Sequence, residues 1–108
     1  GAALLAEDGQ IFTGCNIENA AFTPSVCAER TAFFKAISQG TRKFAAIAVV
    51  GGQGGKITGF FPPCGVCRQV MREFCSDEFP IYLWNGREIR VRTLGQLLPD
   101  SFSASDFV

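Results

Sequence analysis

Ala45 to Val50 read Ala-Ala-Ile-Ala-Val-Val, six apolar residues with no polar interruption. A half-exposed strand alternates apolar and polar side chains, whereas a continuous run is the pattern of a strand covered on both faces. This segment is therefore expected to be a buried, parallel, central strand. On its N-terminal side, Thr23-Pro24-Ser25 offers helix-start residues, and Cys27 to Gln39 is a helix-forming stretch that stops at Gly40, a natural residue just past a helix end. On its C-terminal side, Pro63 suits the first turn of a second helix. There Val66, Cys67, Val70, Met71 and Phe74 recur at helical spacing, with Arg68, Gln69, Arg72 and Glu73 between them facing outward.

Hairpin signals frame this core. Ala2–Ala6 and Ile11–Cys15 flank Glu7-Asp8-Gly9-Gln10, where Asp-Gly points to a two-residue connection, and Ile81–Trp84 and Glu88–Arg92 flank Asn85-Gly86-Arg87, where Asn-Gly favours a type I′ turn. Gly51 to Gly59 carries five glycines and reads as a loop. Gly55-Lys56 is followed by Ile57, and Val50 stands where a phosphate-binding loop needs its first glycine, so the run is not a P-loop. Strands alternating with two helices through right-handed crossovers predict an α/β fold, a three-layer α/β/α domain whose last two strands are antiparallel. The 108 residues suffice for one core, and residues 1–108 are expected to form a single domain.

Composition narrows the chemistry. Ten Lys and Arg balance ten Asp and Glu, so no basic footprint for nucleic acid is expected, and the short apolar runs fall far below the roughly 20 residues that span a bilayer. There is no histidine, which excludes Ser-His-Asp and Cys-His catalysis, H-E-x-x-H sites and any imidazole ligand. Five cysteines, an odd number, include the C-x-x-C pair Cys64 and Cys67, a pattern of metal binding or redox chemistry more than of a disulfide framework.

The chemistry-bearing residues cluster at two expected helix starts: Cys27-Ala28-Glu29, and Pro63-Cys64-Gly65-Val66-Cys67. Both crossovers leave the same edge of the sheet, so the helix N-termini can converge, and their partial positive charge favours thiolates. Three thiolates make a tetrahedral zinc site with one position open for a water, whose pKa zinc lowers toward roughly 7. Glu29, two residues from a ligand, could then move protons. The C-x-x-C alone fits a thioredoxin-like pair equally well. A thiol-disulfide oxidoreductase therefore stays open, as does an inactive structural zinc or assembly protein in which Cys15 or Cys75 closes the fourth position.

With G-A-A-L-L (1 to 5), G-C-N-I-E-N-A-A (14 to 21), C-A-E-R-T-A (27 to 32) and P-C-G-V-C-R-Q (63 to 69) in order, the chain resembles the small, homotetrameric cytidine deaminases from Gly1 to about Pro99. Cysteine-ligated zinc with a non-ligating glutamate is a known arrangement of zinc deaminases. The resemblance implies a cytidine-deaminase-like domain with a mixed five-stranded sheet. It also implies one zinc ion on Cys27, Cys64 and Cys67, and deamination of cytidine and deoxycytidine by attack of zinc-bound hydroxide on C4, with Glu29 as proton shuttle. It assigns the Ala28 N–H to the base carbonyl, the Pro62 carbonyl to the amino group, Asn16 and Glu18 to the ribose hydroxyl, and Arg30 to offsetting the thiolate charge. Phe22 and Phe107 become candidates for sites shared between subunits of a homotetramer. A cytoplasmic role in pyrimidine salvage, on a small nucleoside rather than on nucleic acid or a membrane, goes with it.

Two departures stand out. Phe22 occupies a position where relatives commonly have Tyr, and Pro62 one where Ser is usual. Relatives also carry a helix and an aromatic turn ahead of G-A-A-L-L, so the chain, which opens on Gly1 rather than Met, is expected to be N-terminally truncated relative to that pattern.

Overall fold

The computed structural model describes residues 1–107. Seven strands and three helices follow in the order β1 (Ala2–Ala6), β2 (Ile11–Gly14), α1 (Ala28–Ser38), β3 (Phe44–Val49), β4 (Gly51–Gln53), β5 (Lys56–Gly59), α2 (Gly65–Phe74), β6 (Pro80–Trp84), β7 (Ile89–Thr93) and α3 (Leu94–Leu97). A 3-10 turn at Ala104–Phe107 closes the described chain. Five strands form one mixed sheet in the order β2-β1-β3-β6-β7. β3 is central, parallel to β6 and antiparallel to β1, and the last two strands are antiparallel, so the expected α/β fold with a mixed five-stranded sheet is what forms.

The core lies between one face of this sheet and the two longer helices. Leu4, Phe12, Ile47, Val49, Ile81 and Leu83 bury against Ala32, Phe33 and Ala36 of α1 and Cys67 and Met71 of α2. Phe33 anchors it, with its ring 4.9 Å from that of Phe44 in edge-to-face contact, a geometry that adds to simple area burial. α1 ends as its sequence indicates. Gly40 has φ +91, and the N–H groups of Gly40 and Thr41 return to the carbonyls of Ile37 and Ala36, the double bond of a Schellman stop.

Several local expectations change. The apolar run of β3 is covered on one face: Ile47 and Val49 are buried while Ala48 is exposed and Ala46 half-buried, and Tyr82 and Trp84 are exposed on the same side of β6. Among the described residues both longer helices pack on the opposite side, and small alanines keep this run apolar without burying it. The first hairpin has a three-residue loop, because Ala6 and Gln10 still bond (2.9 Å) and Gly9 donates to Ala6 with φ +91, a type I turn closed by a glycine bulge. In the last hairpin Asn85 bonds Glu88, so the two central residues are Gly86 and Arg87, and Gly86 alone has positive φ (+96). That is the requirement of a type II′ turn rather than I′.

The glycine run is a hairpin, β4–β5, because Gly54 and Gly55 supply two consecutive positive φ angles (+61 and +75). Thr23-Pro24-Ser25 forms a turn ahead of the Ile17–Val26 bridge, and α1 starts with Cys27 as its cap. Pro63 precedes the α2 cap, Cys64, instead of lying in the first turn. On α2, Val66 of the apolar stripe is 57% exposed. Arg68, read as outward-facing, is half-buried and donates to the carbonyls of Pro63 and Leu97 (2.6 Å each).

Candidate metal centre

Two helix caps carry the site. Cys27 caps α1 and Cys64 caps α2, both with extended backbone, which places each thiol at a helix N-terminus, where the first N–H groups have no partner within the helix. α1 reaches this position because Gly14, at the end of β2, lets it lie almost on the strand. A Cβ at Gly14 would stand 2.6 Å from the Ala32 nitrogen. Thr31 then ties the helix start to the chain after β2 through the Cys15 carbonyl (2.9 Å).

The sulfur atoms of Cys27, Cys64 and Cys67 all lie within 4.8 Å of one another. Cys27 Sγ stands 3.7 Å from Cys64 Sγ, and Cys64 Sγ 3.5 Å from Cys67 Sγ. Thiolates about 2.3 Å from a tetrahedral zinc ion are about 3.8 Å apart. The donor set and its spacing therefore fit zinc with a fourth position left open. Cys15 and Cys75 lie outside the cluster, so among the described residues no fourth thiolate closes it. No disulfide joins the cysteines.

The surroundings are asymmetric. Burial raises the Cys64 thiol, but N–H groups of Cys67 and Val66 and the thiols of Cys67 and Cys27 more than offset this, leaving it below its ordinary value. Cys67 is driven the other way, first by burial and then by the negative charge of Glu29. Arg30 donates to Cys27 Sγ at 3.7 Å. Its pKa is raised by Cys27, an effect that burial opposes and Cys67 reinforces. The buried Arg30 Nε has no protein partner. Glu29 is 6% exposed, the one buried charged residue among those described.

A cavity of about 340 Å³ opens beside this cluster, lined by Asn16, Cys27, Ala28, Glu29, Phe61, Pro62 and Cys64 together with Gly1 and the segment 49–52. Its size is that of a small-molecule site. Ala28, Pro62 and Asn16 line this cavity together with Cys27 and Cys64. Glu18 reaches the cavity through Asn16, whose Nδ2 donates to Glu18 Oε1 at 2.6 Å. Phe22 and Phe107 stand apart from it, 81% and 78% exposed, with Phe22 at φ +64 and Phe107 packed against Phe102. Phe61 and Gly51 were not among the residues singled out from sequence. The only sequence signal was an aromatic pair directly ahead of Pro62-Pro63-Cys64.

A mixed sheet that presents three cysteines and a buried glutamate at two helix N-termini defines a zinc-dependent deaminase. A family model for the cytidine and deoxycytidylate deaminase zinc-binding region matches residues 1–83, and the chain belongs to this family. It is 54% identical over 107 residues to the cytidine deaminase of Sporosarcina psychrophila, covering 98% of this chain and 76% of that one. It is 40% identical over 106 residues to the cytidine deaminase of Mycobacterium tuberculosis H37Rv, covering 98% and 74%. The crystal structure of cytidine deaminase from Burkholderia pseudomallei superposes with a TM-score of 0.84 at 48% identity, covering 94% of this chain and 79% of that one.

Proposed function

We propose that the chain catalyses the zinc-dependent hydrolysis of cytidine and deoxycytidine, in which water replaces the exocyclic amine to give uridine or deoxyuridine and ammonia. The carrying observation is the three-cysteine cluster with the buried Glu29 in the same cavity. Zinc held by Cys27, Cys64 and Cys67 would supply a water acidic enough to attack at neutral pH.

The remaining work falls to the chain's own groups. Glu29 takes one proton of the attacking water and delivers it to N3 of the ring, then takes the remaining hydroxyl proton at C4 and passes it to the amino group, which leaves as ammonia while the C4 carbonyl forms. Its burial keeps that proton from exchanging with bulk water during the reaction. The Ala28 N–H is one of the unpaired donors in the first turn of α1 and holds the base carbonyl. The Pro62 carbonyl accepts from the amino group, which prefers cytosine to uracil at C4. Asn16, oriented by Glu18, reads the ribose hydroxyl. Three thiolates on a divalent ion leave about one negative charge, which would make the water less acidic. Arg30 offsets it.

The same reading gives a homotetramer in which Phe22 and Phe107, both largely exposed in the single chain, meet neighbouring subunits, and a role in cytoplasmic pyrimidine salvage. No described helix is long and apolar enough to cross a membrane. One purified sample tests the activity: zinc per chain, and uridine formed from cytidine with ammonia in equal amount. One zinc with turnover is expected. Metal-independent reduction of a disulfide, with no uridine formed, would replace this reading with a thiol oxidoreductase.

A further inference from the structure

The cavity wall facing the cysteines is aromatic and rests on glycine. Phe61 packs directly on Gly51, where a Cβ would stand 2.7 Å from Phe61 Cδ2 and 2.8 Å from its Cβ, closer than real carbon atoms approach. Gly51 does not have a positive φ, so its missing side chain serves close approach and not backbone conformation. Gly51 also pairs with Gly59 at the open end of the β4–β5 hairpin. The chain leaving that hairpin is thereby returned to its own first residue before it enters Pro62 and Cys64. The preceding ring is pinned separately, with the Arg90 guanidinium 4.0 Å above Phe60. Phe61 itself is 43% exposed, although its ring is apolar and lines the cavity that holds Glu29.

We propose that Phe61 is a wall of the pyrimidine pocket, and that its seat on Gly51 sets both that wall and the position of the adjacent Pro62 carbonyl. This rests on the cavity being a nucleoside site. A flat, half-exposed ring beside the metal cluster offers a pyrimidine the stacking surface that sugar-reading groups such as Asn16 cannot provide. Gly51 then acts as a positioning residue, through Phe61.

The test compares wild type, Phe61→Leu, Phe61→Ala, Gly51→Ala and the Gly51→Ala/Phe61→Ala double variant for zinc content, KM and kcat with cytidine, and equilibrium binding of uridine. Phe61→Ala should raise KM about tenfold with zinc retained and kcat less affected. Gly51→Ala should raise KM and also lower kcat, because the displaced ring carries Pro62 with it. In the Phe61→Ala background the clash with the ring is gone and only the contact with the residue-61 Cβ, 2.8 Å away, remains, so Gly51→Ala should have a smaller further effect than in wild type. Independent, multiplying effects would overturn the contact. Unchanged KM in Phe61→Leu and Phe61→Ala, or loss of zinc in Phe61→Leu, would overturn the wall. If zinc-loaded wild type bound uridine but did not deaminate cytidine, the proposed activity would fail while uridine affinity in the same variants still judged Phe61. Absence of uridine binding in wild type would remove both.

Discussion

The two ends of α2 carry the same residue type in opposite chemical states. At its N-terminus, Cys64 is exposed, and although partial desolvation raises its thiol, the amides of Cys67 and Val66 and the neighbouring thiols bring it below the ordinary value. At its C-terminus, Cys75 caps the helix and spends its own N–H on the Met71 carbonyl (2.8 Å). Burial pushes its thiol up to about 12, and the nearby Arg72 charge only moderates this. Free amides and a positive dipole end stabilise a thiolate, whereas carbonyls and apolar packing stabilise a thiol. Thiol acidity alone does not choose the ligands, since Cys67 is also raised; Cys67 joins the cluster because its Sγ lies 3.5 Å from Cys64 Sγ, whereas Cys75 lies outside it.

Exchanging residues at the two ends sharpens this contrast. Cys64→Ala should abolish zinc binding and uridine formation together, read by metal analysis and by loss of cytidine absorbance, while Cys75→Ala should keep both. Zinc retained at full stoichiometry in Cys64→Ala would break the comparison. Arg30→Gln should keep the metal ligands but leave their charge unbalanced, lowering turnover by about 10- to 100-fold, and a wild-type rate would remove Arg30 from the account.

The smallest effect is on stability. Between the ordinary thiol value of 9.0 and about 12, Cys75 stays protonated in the folded chain but ionises in the unfolded one. Its stabilisation is complete below pH 9.0 and declines as pH rises through that window. Cys75→Ala should cost about 1 kcal/mol at pH 7 and show a shallower loss of melting temperature from pH 8 to pH 10 than wild type. Parallel curves would contradict the placement of Cys75.

The metal cluster was legible because its residues sit at helix starts, where sequence signals are strongest: Cys27-Ala28-Glu29 after a turn, Cys64 after the pair Pro62-Pro63, and Gly40 as a stop. What made those starts converge was not legible. Gly14 allows α1 to close on β2 only because a specific helix passes over it, and Gly51 matters only because Phe61 folds back onto it. The glycine run 51–59 looked like a loop because glycine disfavours strands. Two consecutive positive φ angles turned it into a hairpin, with Lys56-Ile57-Thr58 completing one arm. Helical spacing placed Val66 on the apolar stripe and Arg68 outside it. Yet Arg68 is drawn inward by two carbonyls, and Val66, in the first turn of α2 beyond the sheet, is exposed. The alanine-rich β3 shows the same limit, since small apolar residues read as buried whether or not anything covers them.

Glu29→Gln tests the central claim most directly, because it leaves the three cysteines in place and removes only the group assigned to move protons. Zinc content and uridine formation would be measured on the same preparation. The account predicts full zinc occupancy with turnover reduced by about 10²- to 10⁴-fold. Full occupancy with turnover at the wild-type rate would contradict it, leaving the metal centre intact but its chemistry independent of Glu29.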